Sequence, residues 1–281
     1  DGRVRAAVAE VVQKQLATGV DIVNDGEQGK PDYSTYIKGR LTGFEGESAA
    51  PAMGADMKEF PEFAARARVA SLVKRPTCSG PIEWKDWAQV EKEIDNLKAA
   101  VRNAPAEEVF MTAVSPGQAA RFLLNRYYPS DEAYLVALAD ALKREYRAIV
   151  DAGFLLQLDC PDLASGRNNQ FQHLTPEEFQ KVAAMHVEVL NHAVADIPPD
   201  RMRLHACWGN YEGPHHKDIP LKEIIGILLN ARPAALSFEA ANPRHEHEWT
   251  VFEKVKLPEG KVIIPGVLDS TTNFIEHPEL V

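Results

Sequence analysis

Apolar positions along the chain switch between helical and strand spacing. From Val4 to Ala17 they recur every three to four residues and stop at Gly19, a helix followed by its C-terminal signal. Val20 to Asn24 then predicts a short buried strand that empties into the loop Asp25 to Pro31. Residues 41–76 are rich in Ala, Gly and Pro and hold no clear period, which predicts an excursion that covers a site. Ser79 to Trp84 reads as extended and Trp87 to Val101 as an amphipathic helix. Val109 to Val114 is a strand running into Ser115-Pro116-Gly117-Gln118. A long helix follows from Ser130, its N-cap, to Asp151, stopped by Gly153.

Phe154 to Asp159 is the next strand. Thr175-Pro176-Glu177-Glu178 opens a helix with a capping box and proline at the first helical position. A strand from Met202 to Cys207, a helix around Leu221 to Leu229, a strand ending at Glu239, a helix near 245–254 and a strand from Val262 to Val267 complete the pattern. Six strands alternating with helices imply an α/β fold with a parallel sheet. Polar residues stand at the C-terminal end of nearly every strand: Glu27, Ser115, Asp159, His205 with Cys207, Glu239 and Asp269. Parallel α/β folds build their active sites at that end.

The 281 residues are 45% hydrophobic and 26% charged, enough for one sizeable core, and the chain is read as a single barrel domain over 1–281. A net charge of −10 argues against nucleic acid or an anionic membrane as partner. No apolar run approaches the ~18 to 20 residues needed to cross a bilayer, and no apolar h-region follows Asp1-Gly2-Arg3-Val4-Arg5. Three widely spaced cysteines, Cys78, Cys160 and Cys207, fit a reducing cytoplasm better than a disulfide scaffold.

The sharpest chemistry lies in Arg203-Leu204-His205-Ala206-Cys207-Trp208. Alternate side chains of a strand share a side, so His205 and Cys207 can grip one ion. Imidazole and thiolate are zinc donors, and Glu239 at the end of the next strand offers an oxygen. A buried strand-end cysteine is the alternative reading of Cys207.

Taken in order, these strand ends resemble the C-terminal catalytic barrel of cobalamin-independent methionine synthase. Asp25-Gly26-Glu27 resembles its His-Gly-Glu loop, and Ser115-Pro116-Gly117 stands where it has Thr-Gly-Pro. Leu156-Gln157-Leu158-Asp159-Cys160-Pro161 is similar to its Ile-Gln-Ile-Asp-Glu-Pro, His205-Ala206-Cys207 to its zinc motif, Ser237-Phe238-Glu239 to its zinc-ligating glutamate strand, and Pro265-Gly266-Val267-Leu268-Asp269 to Pro-Gly-Val-x-Asp. The resemblance implies a (β/α)8 TIM barrel of the methionine synthase and uroporphyrinogen decarboxylase type. It also implies zinc held by His205, Cys207 and Glu239, and transfer of a methyl group to a thiol. The acids matching Glu27 and Asp159 hold the amino group of homocysteine in that family, and Ser115 is taken with them as substrate-binding. Two carboxylates suit an ammonium and repel a sulfonate, which favours homocysteine over the coenzyme M used by related epoxyalkane transferases. A divalent cation deprotonates a thiol that otherwise titrates near ~8.5, which is the chemistry zinc supplies.

The chain departs from the pattern in four places. The family's first strand and its last, with the fourth zinc ligand, are expected before Asp1 and beyond Val281. Cys160 replaces an acid beside Asp159 and reads as a buried structural cysteine. Thr271 stands where the folate-dependent enzyme carries histidine, so the methyl donor is left open between folate and a corrinoid-bound methyl. Asp269 is a candidate acid–base group or a cap for Thr271 and Thr272. His245-Glu246-His247 reads as a solvated helix start and His215-His216 as loop. Trp208 and Tyr211 are either pocket wall or packing under a loop. A metal-free barrel, either a uroporphyrinogen decarboxylase type or a truncated pseudoenzyme, is the rival. The arginine cluster expected near the N-terminus of that decarboxylase is not evident.

Overall fold

The computed structural model describes residues 2–49, 52–66 and 75–281. Helix α1 (Gly2–Ala17) leads to β1 (Ile22–Asn24), with Gly19 at φ +83° making the left-handed stop that the sequence predicts. In the 41–76 stretch lie a short strand pair, β2 (Ser48–Ala49) with β3 (Arg75–Pro76), and two short helices, α2 (Ala55–Glu59) and α3 (Pro61–Arg66). Helix α4 (Ala88–Val101) and strand β4 (Glu108–Val114) follow, then α5 (Pro116–Phe122) and α6 (Asp131–Asp151). The remainder alternates: β5 (Leu155–Asp159), α7 (Pro176–Ala193), β6 (Met202–Ala206), α8 (Leu221–Leu228), β7 (Ala235–Glu239) and β8 (Val262–Gly266).

The capping signals act where the sequence puts them. Ser130 accepts a hydrogen bond from the Ala133 amide at 3.1 Å. Thr175 and Glu178 form the reciprocal capping box. In α6, Leu135, Leu138, Leu142, Tyr146 and Ile149 recur at helical spacing and are buried. They pack under β4 and β5, whose outward residues Ala113, Leu156 and Leu158 are fully buried. Burying one such side chain contributes about 1.5–3 kcal/mol.

Six strands form one parallel sheet in the order β1-β4-β5-β6-β7-β8, the curved wall of a (β/α) barrel. Among the described residues no strand pairs with the outer edges of β1 and β8, and Ile22, Val262 and Ile264 are exposed there. The register sets Asp159 beside His205 and His205 beside Ser237. Because neighbours in a pleated sheet point to the same side, Thr112, Gln157, Asp159, Arg203 and His205 share the inner face, while Leu204 and Ala206 face the helices.

Ser79 to Trp84, read as extended, holds no ladder among the described residues, with single bridges from Cys78 to Asn125 and from Trp84 to Leu41. Ser115 to Gln118, into which β4 runs, opens α5, with Ser115 as cap and Pro116 in its first turn. One expectation changes. The helix expected near 245–254 is a single 3-10 segment, Glu248–Glu253, because His245 and Glu248 are drawn inward by buried partners.

Candidate functional site

The C-terminal ends of the strands open into a cavity of about 1150 Å³. Glu27, Asp159, His205 and Cys207 all line it, so four of the seven residues singled out in the sequence share one chamber. Asp56 and Arg66, on the short helices α2 and α3, form part of its wall; residues 50–51 and 67–74 of the 41–76 stretch lie outside the described residues.

His205 commits one ring nitrogen to the scaffold. Its Nδ1 lies 3.1 Å from Asp159 Oδ1, and Gln157 Nε2 donates to that same oxygen at 2.8 Å. Burial alone would lower the imidazole, but hydrogen bonds to Asp159 and Cys207 outweigh it and push the pKa up to about 10. Cys207 Sγ accepts from the Gly209 amide at 3.2 Å. Gly209 holds φ +115°, a conformation that favours glycine and lets the chain turn under the sulfur.

Glu27 sits at φ 54°, a left-handed conformation uncommon outside glycine. Its Oε1 accepts from the Thr112 hydroxyl at 2.6 Å. The buried ammonium of Lys30 donates to the Thr112 hydroxyl at 2.8 Å and to its carbonyl at 2.6 Å, and lies 3.4 Å from Glu27. The strained carboxylate is thus anchored to β4 through a neutralising pair.

The other three residues are placed differently. Ser115 caps α5 by accepting from the Gln118 amide and donates to Asp162 at 2.8 Å; it does not line the cavity. Asp162 also engages His186 Nδ1 at 2.8 Å, and a Cβ on Gly117 would come within 2.1 Å of the Asp162 carboxylate, so glycine is required for this close approach. Asp269 accepts from the Thr271 hydroxyl and amide, which hold its carboxyl below the usual range against the opposing effect of burial. Glu239, at the tip of β7, leaves Oε2 buried with no hydrogen-bond partner among the described residues. Burial pushes its carboxyl up, against the pull of His245 and His215.

A second cluster went unread in the sequence. Among the described residues, one group of three potential ligands has its atoms within 4.8 Å of one another: His215, Asp218 and His245. His205, Cys207 and Glu239 are not gathered so closely. His245 is not solvated but 2% exposed. Asp218 takes its Nε2 at 3.1 Å, Glu248 takes its Nδ1 at 2.8 Å, and Trp208 stacks on its ring at 4.3 Å. His215 bonds Asp218 through Nδ1 at 2.6 Å and the Tyr211 carbonyl through Nε2 at 3.0 Å. Every ring nitrogen of the pair is engaged, and two acids balance two imidazoles.

Zinc fit is judged from the donors. His205 and Cys207 present nitrogen and sulfur side by side to the cavity, with the carboxylate–histidine contact common behind zinc ligands. Glu239 adds a buried carboxylate oxygen with no hydrogen-bond partner among the described residues. The donor types fit zinc.

No family model matches the chain. Among curated proteins, it is similar to the methionine synthase of Saccharolobus solfataricus, 23% identical over 235 residues, covering 82% of this chain and 61% of that protein. The methionine synthase of Pyrococcus furiosus is 24% identical over 209 residues, covering 74% and 52%. That of Thermococcus kodakarensis is 24% identical over 281 residues, covering 99% and 69%. The chain thus spans between about half and seven-tenths of the length of these relatives. Among solved structures, a B12-independent methionine synthase from Shewanella in complex with selenomethionine superposes with a TM-score of 0.73 at 19% identity, covering 99% of this chain and 73% of that one. In sequence the chain is similar to these methionine synthases, and its fold is that of the B12-independent enzyme from Shewanella.

Proposed function

We propose that the chain is a zinc-dependent methyltransferase that passes a methyl group to a thiol, homocysteine foremost, to give methionine. The observation that carries this reading is the placement of His205 and Cys207 together on a cavity that also presents Glu27 and Asp159. His205, Cys207 and Glu239 would hold the metal, which when bound supplies a thiolate nucleophile at neutral pH.

The remaining groups orient and select. Asp159 fixes the His205 ring through Nδ1, and Gln157 fixes Asp159. Glu27 and Asp159 face the amino group of the acceptor, an ammonium at neutral pH. Asp269, whose carboxyl Thr271 holds low, is the acid–base candidate of this reading, to take the proton the thiol releases. Methyl transfer is an in-line displacement, so holding donor and acceptor in register carries much of the rate. A cavity of about 1150 Å³ exceeds what a homocysteine-sized acceptor fills and leaves room for a folate or corrinoid-bound methyl donor beside it.

The test is zinc per chain by elemental analysis, with methyl transfer to homocysteine from methyltetrahydrofolate and from methylcobalamin. The expected result is about one zinc in the wild-type chain, none in Cys207→Ser, and methionine from one donor. Full zinc in Cys207→Ser removes the assignment. Alkylation of coenzyme M in preference to homocysteine transfers the chemistry to the epoxide-opening branch.

A further inference from the structure

Arg121, on α5, is 9% exposed and lines the cavity. Its Nη1 donates to Ser165 Oγ at 2.6 Å and to Gln118 Oε1 at 3.3 Å. Neither Nε nor Nη2 makes a hydrogen bond to a described residue, and no carboxylate among the described residues lies within ion-pair distance. Arg40 shows what this fold does with a guanidinium buried for structure: Glu93 at 2.5 Å and Glu145 at 2.8 Å both pair with it. A buried cation without an anion is costly, so such a group marks a place where an anion arrives with the ligand. Burial lowers the Arg121 guanidinium, against the pull of Tyr33, Asp162 and Cys207.

The cavity lining mixes both signs: Glu27, Asp56, Asp159 and Glu212 are its acids, Arg66 and Arg121 its arginines. Tyr33 joins the Arg121 side, its hydroxyl accepting from Gln118 Nε2 at 3.0 Å.

We infer that Arg121 holds the anionic end of the thiol acceptor, a carboxylate or a sulfonate, while Glu27 and Asp159 hold its ammonium. This rests on the thiol-transfer reading above and deepens it: the acceptor is an amino acid read at both charged ends. Guanidinium and carboxylate pair through two parallel hydrogen bonds, and the two nitrogens of Arg121 that remain are its Nε and Nη2 edge. The same edge accepts a sulfonate, so discrimination against coenzyme M falls to Glu27 and Asp159, not to Arg121.

The experiment compares two thiols by titration calorimetry on the zinc-loaded chain: homocysteine and 3-aminopropane-1-thiol, which lacks only the carboxylate. Arg121→Gln is expected to weaken homocysteine roughly 10- to 100-fold and the amine thiol by less than about threefold. Zinc per chain stays unchanged, and Arg121→Lys recovers part of the loss. Unchanged homocysteine affinity in Arg121→Gln, or an equal loss for both thiols, overturns the inference. A wild-type chain that carries zinc yet binds neither thiol defeats the thiol-transfer reading instead. In that event the sulfur-free pair norleucine and pentylamine, followed by ligand-detected NMR, decides on Arg121. Norleucine binding that is lost in Arg121→Gln sustains the anion site; no norleucine signal, or one that Arg121→Gln leaves intact, overturns it.

Discussion

Two histidine clusters follow the ends of β6 and β7, and they differ in what they leave open. Around His215 and His245 the donors are gathered within 4.8 Å, yet Asp218, Glu248 and the Tyr211 carbonyl take all four ring nitrogens. Around His205 the donors are less tightly gathered, but only Nδ1 is tied to a carboxylate and the sulfur of Cys207 faces the cavity. Proximity alone would choose the first cluster as a metal centre. The zinc proposal favours the second, because a ligand atom already hydrogen-bonded to a buried acid must break that bond to coordinate. The first is a closed ion network joining the loops after β6 and β7; the second is the donor pair on which the zinc proposal rests.

The largest effect that separates them is on metal content and turnover. Cys207→Ser is expected to remove zinc and to lower methyl transfer on the order of 10³-fold or more, while His215→Asn keeps its zinc. Elemental analysis of the two variants side by side reads this directly. Zinc retained in Cys207→Ser and lost in a folded His215→Asn would reverse the two assignments.

How far the sequence reveals this contrast depends on range. His205 and Cys207 were legible because strand alternation puts them on one side, and Asp159 because it ends a strand of clear apolar pattern. Gly19, Ser130 and the Thr175 capping box are local signals and appear where expected. The closed network is not local: Asp218 and His245 lie 27 residues apart, and the Tyr211 hydroxyl bonds Asp56 across 155. Nothing near His245 in sequence distinguishes a buried imidazole from a solvated one; only the pairing of its two nitrogens explains the burial. Arg121 escaped for a related reason. Its helix is seven residues long and opens with Pro-Gly, and a single arginine in such a segment carries no sign that it turns inward.

Stability is the next axis. Asp218 Oδ2 is shared by His215 and His245, and Oδ1 accepts from Asn168 at 3.2 Å. Asp218→Asn leaves two buried imidazoles facing an amide and is expected to cost about 3–5 kcal/mol, read as a lower urea midpoint at unchanged slope, with zinc retained. A folded Asp218→Asn that loses zinc would make the closed network part of the metal site.

The same network sets a pH dependence. Burial lowers His245, but hydrogen bonds to Asp218 and Glu248 prevail and push it up to about 9 from an ordinary 6.5. A raised folded-state pKa stabilises fully below about pH 6.5, and the contribution fades as pH climbs through about 9. The expected loss is on the order of 3 kcal/mol. Urea midpoints should fall over that alkaline window in the wild-type chain and fall less in His245→Gln. A wild-type midpoint that stays level there would mean that the ring is neutral and the network is held by hydrogen bonds alone.

The smallest effect tests the open cluster from behind. Asp159 Oδ1 receives both His205 Nδ1 and Gln157 Nε2. In Asp159→Asn two donors still converge on that position, so the amide is forced to place its oxygen there and the tautomer of His205 is kept. What disappears is the charge that makes the imidazole a stronger ligand. Zinc affinity, measured by competition with a chromophoric chelator, should therefore drop by about tenfold, and by up to about 100-fold in Asp159→Ala, where orientation is lost as well. Equal losses in the two variants would mean that the charge alone matters. No loss in either would detach Asp159 from the metal and leave it only the ammonium of the acceptor.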